Sequence, residues 1–154
     1  MTQRPDRYAN SNLRELPEVL KVIALRDPLI EGLGHLPRSP YVEAAWGPIL
    51  GPGATMCFRR LGVLASISPE GITIDTPDLA ASLGLGAGLS RNSKIARTLG
   101  RLVDFRAAGW TDDNHYSVRL ALPDLPERLV RRLPPTAQRF HQHALEAKRQ
   151  ARHA

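Results

Sequence analysis

The segment Ser90 to Phe105, SRNSKIARTLGRLVDF, constrains this chain more than any other stretch. At about 100° per residue, Ser93, Arg97, Arg101, Thr98 and Arg91 fall in one arc around Lys94, and Leu102, Ile95, Leu99, Val103 and Ala96 fall in the opposite one. Such a helix has one face to bury and another carrying four cations and two hydroxyls. It needs a small core behind it and either water or an anionic partner in front. Asn92 projects toward the apolar side and serves near the N-cap. A solvated surface helix would show the same pattern, so the flanking segments must decide.

Upstream, Ser68-Pro69-Glu70-Gly71 predicts a turn and Ile72-Thr73-Ile74 a short strand. Thr76 then caps a compact helix with Pro77 at its first position and Asp78 near its positive end, running through Leu79, Ala80 and Leu83 until Gly84 stops it. Leu85 to Leu89 is a glycine-rich connector, and Ser90 caps the cationic helix, which ends before Ala108-Gly109. Downstream, Trp110 opens a hairpin that turns at Thr111-Asp112-Asp113-Asn114-His115. Its second strand alternates, with Tyr116, Val118 and Leu120 inward and Ser117 and Arg119 outward.

This order of strand, helix, turn, polar-faced helix and hairpin resembles the bacterial winged helix-turn-helix family over about residues 41 to 122. The resemblance rests on IDTPDLAASLGLG as positioning helix and turn, SRNSKIARTLGRLVDF as recognition helix and AAGWTDDNHYSVRLAL as the wing. It implies that the second helix enters the major groove of double-stranded DNA and that the hairpin touches backbone or minor groove. The contact set it implies is Arg91, Asn92, Ser93, Lys94, Arg97, Thr98 and Arg101, with Arg119 in the wing. The guanidinium and ammonium groups would divide between guanine edges and phosphates, and Ser93 and Thr98 would add short hydrogen bonds. Asp112 and Asp113 at the wing tip would repel phosphates.

The remaining chain reads as extensions of that core, so the expected fold class is mainly α with a small β-hairpin (α+β) and helical extensions at both ends. Residues 1 to 12 lack periodicity and read as a flexible arm with Arg4 and Arg7. Leu16, Val19, Leu20, Ile23 and Ala24 recur at helical spacing, which makes residues 13 to 40 an N-terminal helical extension and linker. Ser39-Pro40 opens a helix through Trp46 that Gly47-Pro48 interrupts, and Gly51-Pro52-Gly53 separates it from a further helix over residues 54 to 66. Residues 123 to 154 form basic C-terminal helices: a short one with Arg128, Arg131 and Arg132, then a longer one striped by Ala137, Phe140, Ala144 and Ala147. The N-terminal or the C-terminal stripe could pack on the domain or form a homodimer.

Charge supports a polyanionic partner. The net charge of +6 and pI near 10.2 are concentrated: residues 91 to 109 carry five cations and one carboxylate, and residues 126 to 154 carry seven cations and two carboxylates. The rest of the chain is therefore net negative. A single cysteine, Cys57, excludes an internal disulfide and fits a reducing compartment. With no signal-peptide pattern and no apolar run of about 18 residues, the expected location is cytoplasmic, on the nucleoid, with no membrane partner.

Enzyme signatures fail one by one. The Gly84-Leu85-Gly86 and Gly86-Ala87-Gly88 runs lack the third glycine of a dinucleotide loop, because Leu89 and Arg91 stand there. His141 and His143 point apart on a helix, His35 and His115 sit alone in loops, and no Ser, His and Asp set forms a relay. No catalytic, metal or cofactor site is expected. The chain reads as a sequence-specific double-stranded DNA-binding protein, a transcriptional regulator. The competing reading is a winged-helix architectural or protein-interaction module in replication, recombination or chromosome organisation, with non-specific DNA affinity.

Overall fold

A computed structural model describes residues 12 to 153. The expected arm with Arg4 and Arg7 therefore lies outside the described residues, apart from Asn12. The chain runs through β1 (Val19–Leu25), α1 (Pro28–Leu33), a π-helical turn (Val42–Trp46), α2 (Gly47–Leu50), α3 (Pro52–Ser66), β2 (Ile72–Asp75), α4 (Thr76–Ser82), α5 (Lys94–Asp104), β3 (Ala108–Trp110), β4 (His115–Arg119), α6 (Glu127–Val130) and α7 (Pro135–Arg152). It is an α+β fold. Among the described residues no helix is long and apolar enough to cross a membrane.

The helix expected from Leu13 is instead a strand. β1 lies inside a four-stranded sheet of order β2-β1-β4-β3, antiparallel to β2 and parallel to β4. A strand with neighbours on both sides reads as a near-continuous apolar run, VLKVIAL, and in a run that dense some residues match helical spacing by chance. Its β-branched Val19, Val22 and Ile23 suit the pleat, and Leu20 and Val22 are fully buried. α3 packs on β1, β4 and α5, burying Cys57, Phe58 and Leu61. Burial pushes the Cys57 thiol up to about 12, so it is an inert core group.

Gly47-Pro48 does not end the preceding helix. In a regular helix the Pro48 ring would collide with the Ala44 carbonyl; here the turn widens, Gly47 N–H bonds to Val42 O, and the chain continues helically to Leu50. The real break is Gly51, with φ +84°, after which Pro52 opens α3. Trp46 is buried and donates Nε1–H to Pro123 O at 2.9 Å.

Two capping expectations shift by one and three residues. Asp75, not Thr76, caps α4, its carboxylate accepting from Asp78 N–H at 2.9 Å, and Thr76 is buried in the first turn. Ser93, not Ser90, caps α5, because its Oγ reaches Ala96 N–H at 3.3 Å while Ser90 O closes the preceding turn onto Ser93 N–H. α5 ends at Asp104 in a turn where Arg106 takes φ +60° and Ala107 N–H returns to Leu102 O at 2.9 Å.

The hairpin of β3 and β4 turns at Thr111 to Asn114. Tyr116 and Val118 are fully buried, and Ser117, against expectation, is buried as well. β4 is an inner strand, and Ser117 donates its hydroxyl to Gly109 O across the hairpin at 2.9 Å. The apolar stripe of α7 packs on the same chain: Ala137 is buried, and Phe140 and Ala144 lie against the core beside Val42–Trp46.

Candidate nucleic-acid interface

α5 divides as its sequence requires. Ile95, Leu99 and Leu102 are fully buried, while Lys94 and Arg97 are exposed on the other side and Arg91 and Asn92 are exposed in the turn just before the helix. Arg91, Lys94 and Arg97 make no ion pair or side-chain hydrogen bond with a described residue. Lys94 and Arg97 stand one turn apart, separated by about 4.5 Å along the axis. A helix of this diameter fits the major groove, and cations so spaced can reach successive base edges or phosphates.

The other four residues of the expected set are engaged within the fold. Ser93 is the cap, and Thr98 donates its hydroxyl to Lys94 O at 2.8 Å. Arg101 turns back into the protein, donating Nε–H to Leu50 O at 2.7 Å and an Nη2–H to Ile49 O at 2.6 Å, with its guanidinium over the Phe105 ring. It satisfies the end of α2, whose carbonyls would otherwise lack partners. Arg119 donates Nε–H to Arg106 O at 2.6 Å and pairs with Asp27 at 3.2 Å. Asp27 is the N-cap of α1, so Arg119 ties the hairpin to the N-terminal region. The eight residues thus fall into an outward group of Arg91, Asn92, Lys94 and Arg97 and an inward group of Ser93, Thr98, Arg101 and Arg119.

Both flanks of the exposed face are occupied by segments that sequence reading did not place there. On one side, Asn12 donates its amide to Asp104 at 2.6 Å, Leu13 lies against Gly100, and Leu16 N–H bonds to Leu89 O at 2.9 Å. Gly100 was the available signal. A glycine inside a helix costs about 1 kcal/mol relative to alanine and is retained where another backbone comes close. A Cβ there would stand 3.3 Å from Leu13 Cδ2 and 3.4 Å from Asn12 O. On the other side, the start of α3 approaches Thr98 and Leu85 at Gly53.

The hairpin is braced rather than extended. Tyr116 donates its hydroxyl to Leu99 O at 2.8 Å, fastening β4 to α5. Trp110 meets Tyr116 edge-on and carries the Arg14 guanidinium 4.4 Å from its ring centroid. Asp112 is a turn group: it accepts from Asn114 N–H, His115 N–H and the His115 ring at 2.7 to 2.8 Å. The Asn114 amide, followed by the His115 ring, holds its carboxyl below the usual range. Asp113 is exposed.

His35, expected to stand alone, meets Asp124 at 2.6 Å, and Lys148 of α7 reaches both Asp124 at 3.0 Å and Leu33 O at 2.8 Å. Burial lowers the His35 imidazole against the opposing Asp124 hydrogen bond. Burial would raise Asp124, but hydrogen bonds from His35 and Lys148 outweigh it and keep the carboxyl low. The resting pair is therefore a neutral imidazole donating to a carboxylate. Beside it, Tyr41 stacks on His35 and bridges Leu125 N–H and His141 Nδ1. This cluster fastens α7, and among the described residues no hydrogen bond or ion pair joins it to Arg91, Lys94 or Arg97. Comparison of the chain with protein-family models, curated proteins and solved structures gives no match.

Proposed function

We propose that this chain is a sequence-specific double-stranded DNA-binding protein, a transcriptional regulator, that presents the first turns of α5 and the turn before it to the major groove. The carrying observation is that Arg91, Lys94 and Arg97 are exposed and without a described partner, on a helix whose opposite face packs into the core. The order α3, β2, α4, α5, β3, β4 supports a winged helix-turn-helix reading. In this reading Arg91 and Arg97 read base edges or bind phosphates, Lys94 binds phosphate, and Asn92 has a free amide at the groove. Arg101 and Arg119 hold the scaffold.

The test is selection of genomic fragments by the purified protein at about 0.15 M salt, near physiological ionic strength, followed by titration of the Arg91→Ala and Arg97→Ala variants. One enriched motif is expected, with a loss of about 1 to 3 kcal/mol for a base-reading arginine. Full affinity in both variants would refute the α5 assignment. Uniform recovery of all fragments would instead favour an architectural module, which the exposed arginines of α6 and α7 would also serve.

A further inference from the structure

A second unpaired cationic surface stands at the junction of α6 and α7. Arg128, Arg131 and Arg132 occupy positions i, i+3 and i+4 on α6 and the turn that continues it, opposite the buried Leu129, Val130 and Leu133. The side-chain amide of Gln138 donates to Val130 O at 3.3 Å and Leu133 O at 3.0 Å, holding the start of α7 against the end of α6. Arg139 adds a fourth guanidinium at that junction. All four are exposed, and none makes an ion pair or side-chain hydrogen bond with a described residue, Glu127 included.

Helix-end electrostatics does not account for them. α6 has four residues, too few for a useful dipole, and Arg139 lies near the positive end of α7, where a cation is disfavoured. The junction is also fixed in place, because Tyr41–His141 and Lys148–Asp124 fasten α7 to the domain. The like charges of Arg128, Arg131 and Arg132, at i, i+3 and i+4, repel one another, and a row of phosphates would offset that repulsion. We propose that this junction is a second phosphate-contacting surface for double-stranded DNA. The choice of DNA as the polyanion rests on the α5 reading.

Removing one cation from a phosphate flattens the dependence of log affinity on log salt by about 0.9 and lowers affinity about fivefold at 0.15 M salt. Anisotropy titrations of the full chain on a labelled duplex across a salt series read both quantities. Replacing Arg128, Arg131, Arg132 and Arg139 together by alanine should flatten the slope by about 2 to 4, with sequence preference unchanged and the melting temperature not lowered. Replacing the same four by lysine should restore the slope.

An unchanged slope in the alanine variant overturns the proposal. So does an equal loss per cation removed from Arg149→Ala with Arg152→Ala, exposed cations further along α7, since only net charge would then matter. Loss of binding to vesicles of anionic lipid with DNA binding intact would assign the junction to a membrane surface instead. If α5 variants weaken binding and junction variants do not, only this inference fails. If junction variants weaken it and α5 variants do not, the α5 reading fails.

Discussion

Tyr41→Phe isolates the hydroxyl that joins α7 to the body of the protein. Tyr41 is 4% exposed, and its oxygen accepts from Leu125 N–H at 2.9 Å and lies 2.7 Å from His141 Nδ1. With the amide donating to it, the hydroxyl shares its other hydrogen bond with His141 Nδ1. Phenylalanine keeps the ring and its stacking on His35 but leaves two buried polar groups without this partner. An orphaned buried group costs about 1 to 3 kcal/mol. The Leu125 amide bears most of this, since an imidazole can change tautomer, so the expected total is about 3 kcal/mol. For a chain of this size that lowers the melting temperature by about 6 to 12 °C. Urea unfolding followed by Trp46 and Trp110 fluorescence should show an earlier midpoint with unchanged slope. A loss below about 0.5 kcal/mol, that of an ordinary surface substitution, would show that the bridge does not hold α7.

Three further outcomes follow from the same geometry. Arg101→Ala should cost about 1.5 to 3 kcal/mol by removing its bonds to Ile49 and Leu50; unchanged stability with altered DNA preference would mean that the side chain swings outward on binding. Gly62→Ala would place a Cβ 2.5 Å from Pro37 Cγ and 2.9 Å from Pro37 Cβ, and should cost about 1 to 3 kcal/mol by overpacking, whereas a gain in thermal melting would show that Pro37 yields freely. Because burial lowers the folded-state His35 value from 6.5, the folded protein binds this proton less readily than the unfolded chain. The His35 contribution to stability is then full above pH 6.5 and falls as pH drops toward the folded value. Subtracting the stability profile of His35→Gln from that of the parent should isolate that fall, and a flat difference between pH 7 and 5 would contradict it.

The region from Ile72 to Arg119 was legible because its signals are local. Turn residues, proline at helix starts and two distinct periodicities sit beside the elements they specify. β1 was not legible, because its neighbours β2 and β4 lie about 50 and 95 residues away and its seven residues match either period. At α5, the sequence separates a polar face from an apolar one, and the structure keeps that separation. It cannot show that Arg101, on the polar face, turns back to the end of α2, a partner about fifty positions upstream. Arg106 was hidden differently: it occupies a left-handed position that glycine usually signals.

Translation adds a consequence to the central position of β1. The ribosome delivers VLKVIAL first and its parallel partner, residues 115 to 119, some 90 residues later. At about 5 to 20 residues per second, the nascent strand waits about 5 to 20 s for that partner. Its earlier neighbour, Ile72–Asp75, can cover only one edge in the meantime. An apolar segment with an open edge is one that other nascent chains or chaperones can occupy. Elongation speed between β1 and β4 therefore enters the yield of folded protein.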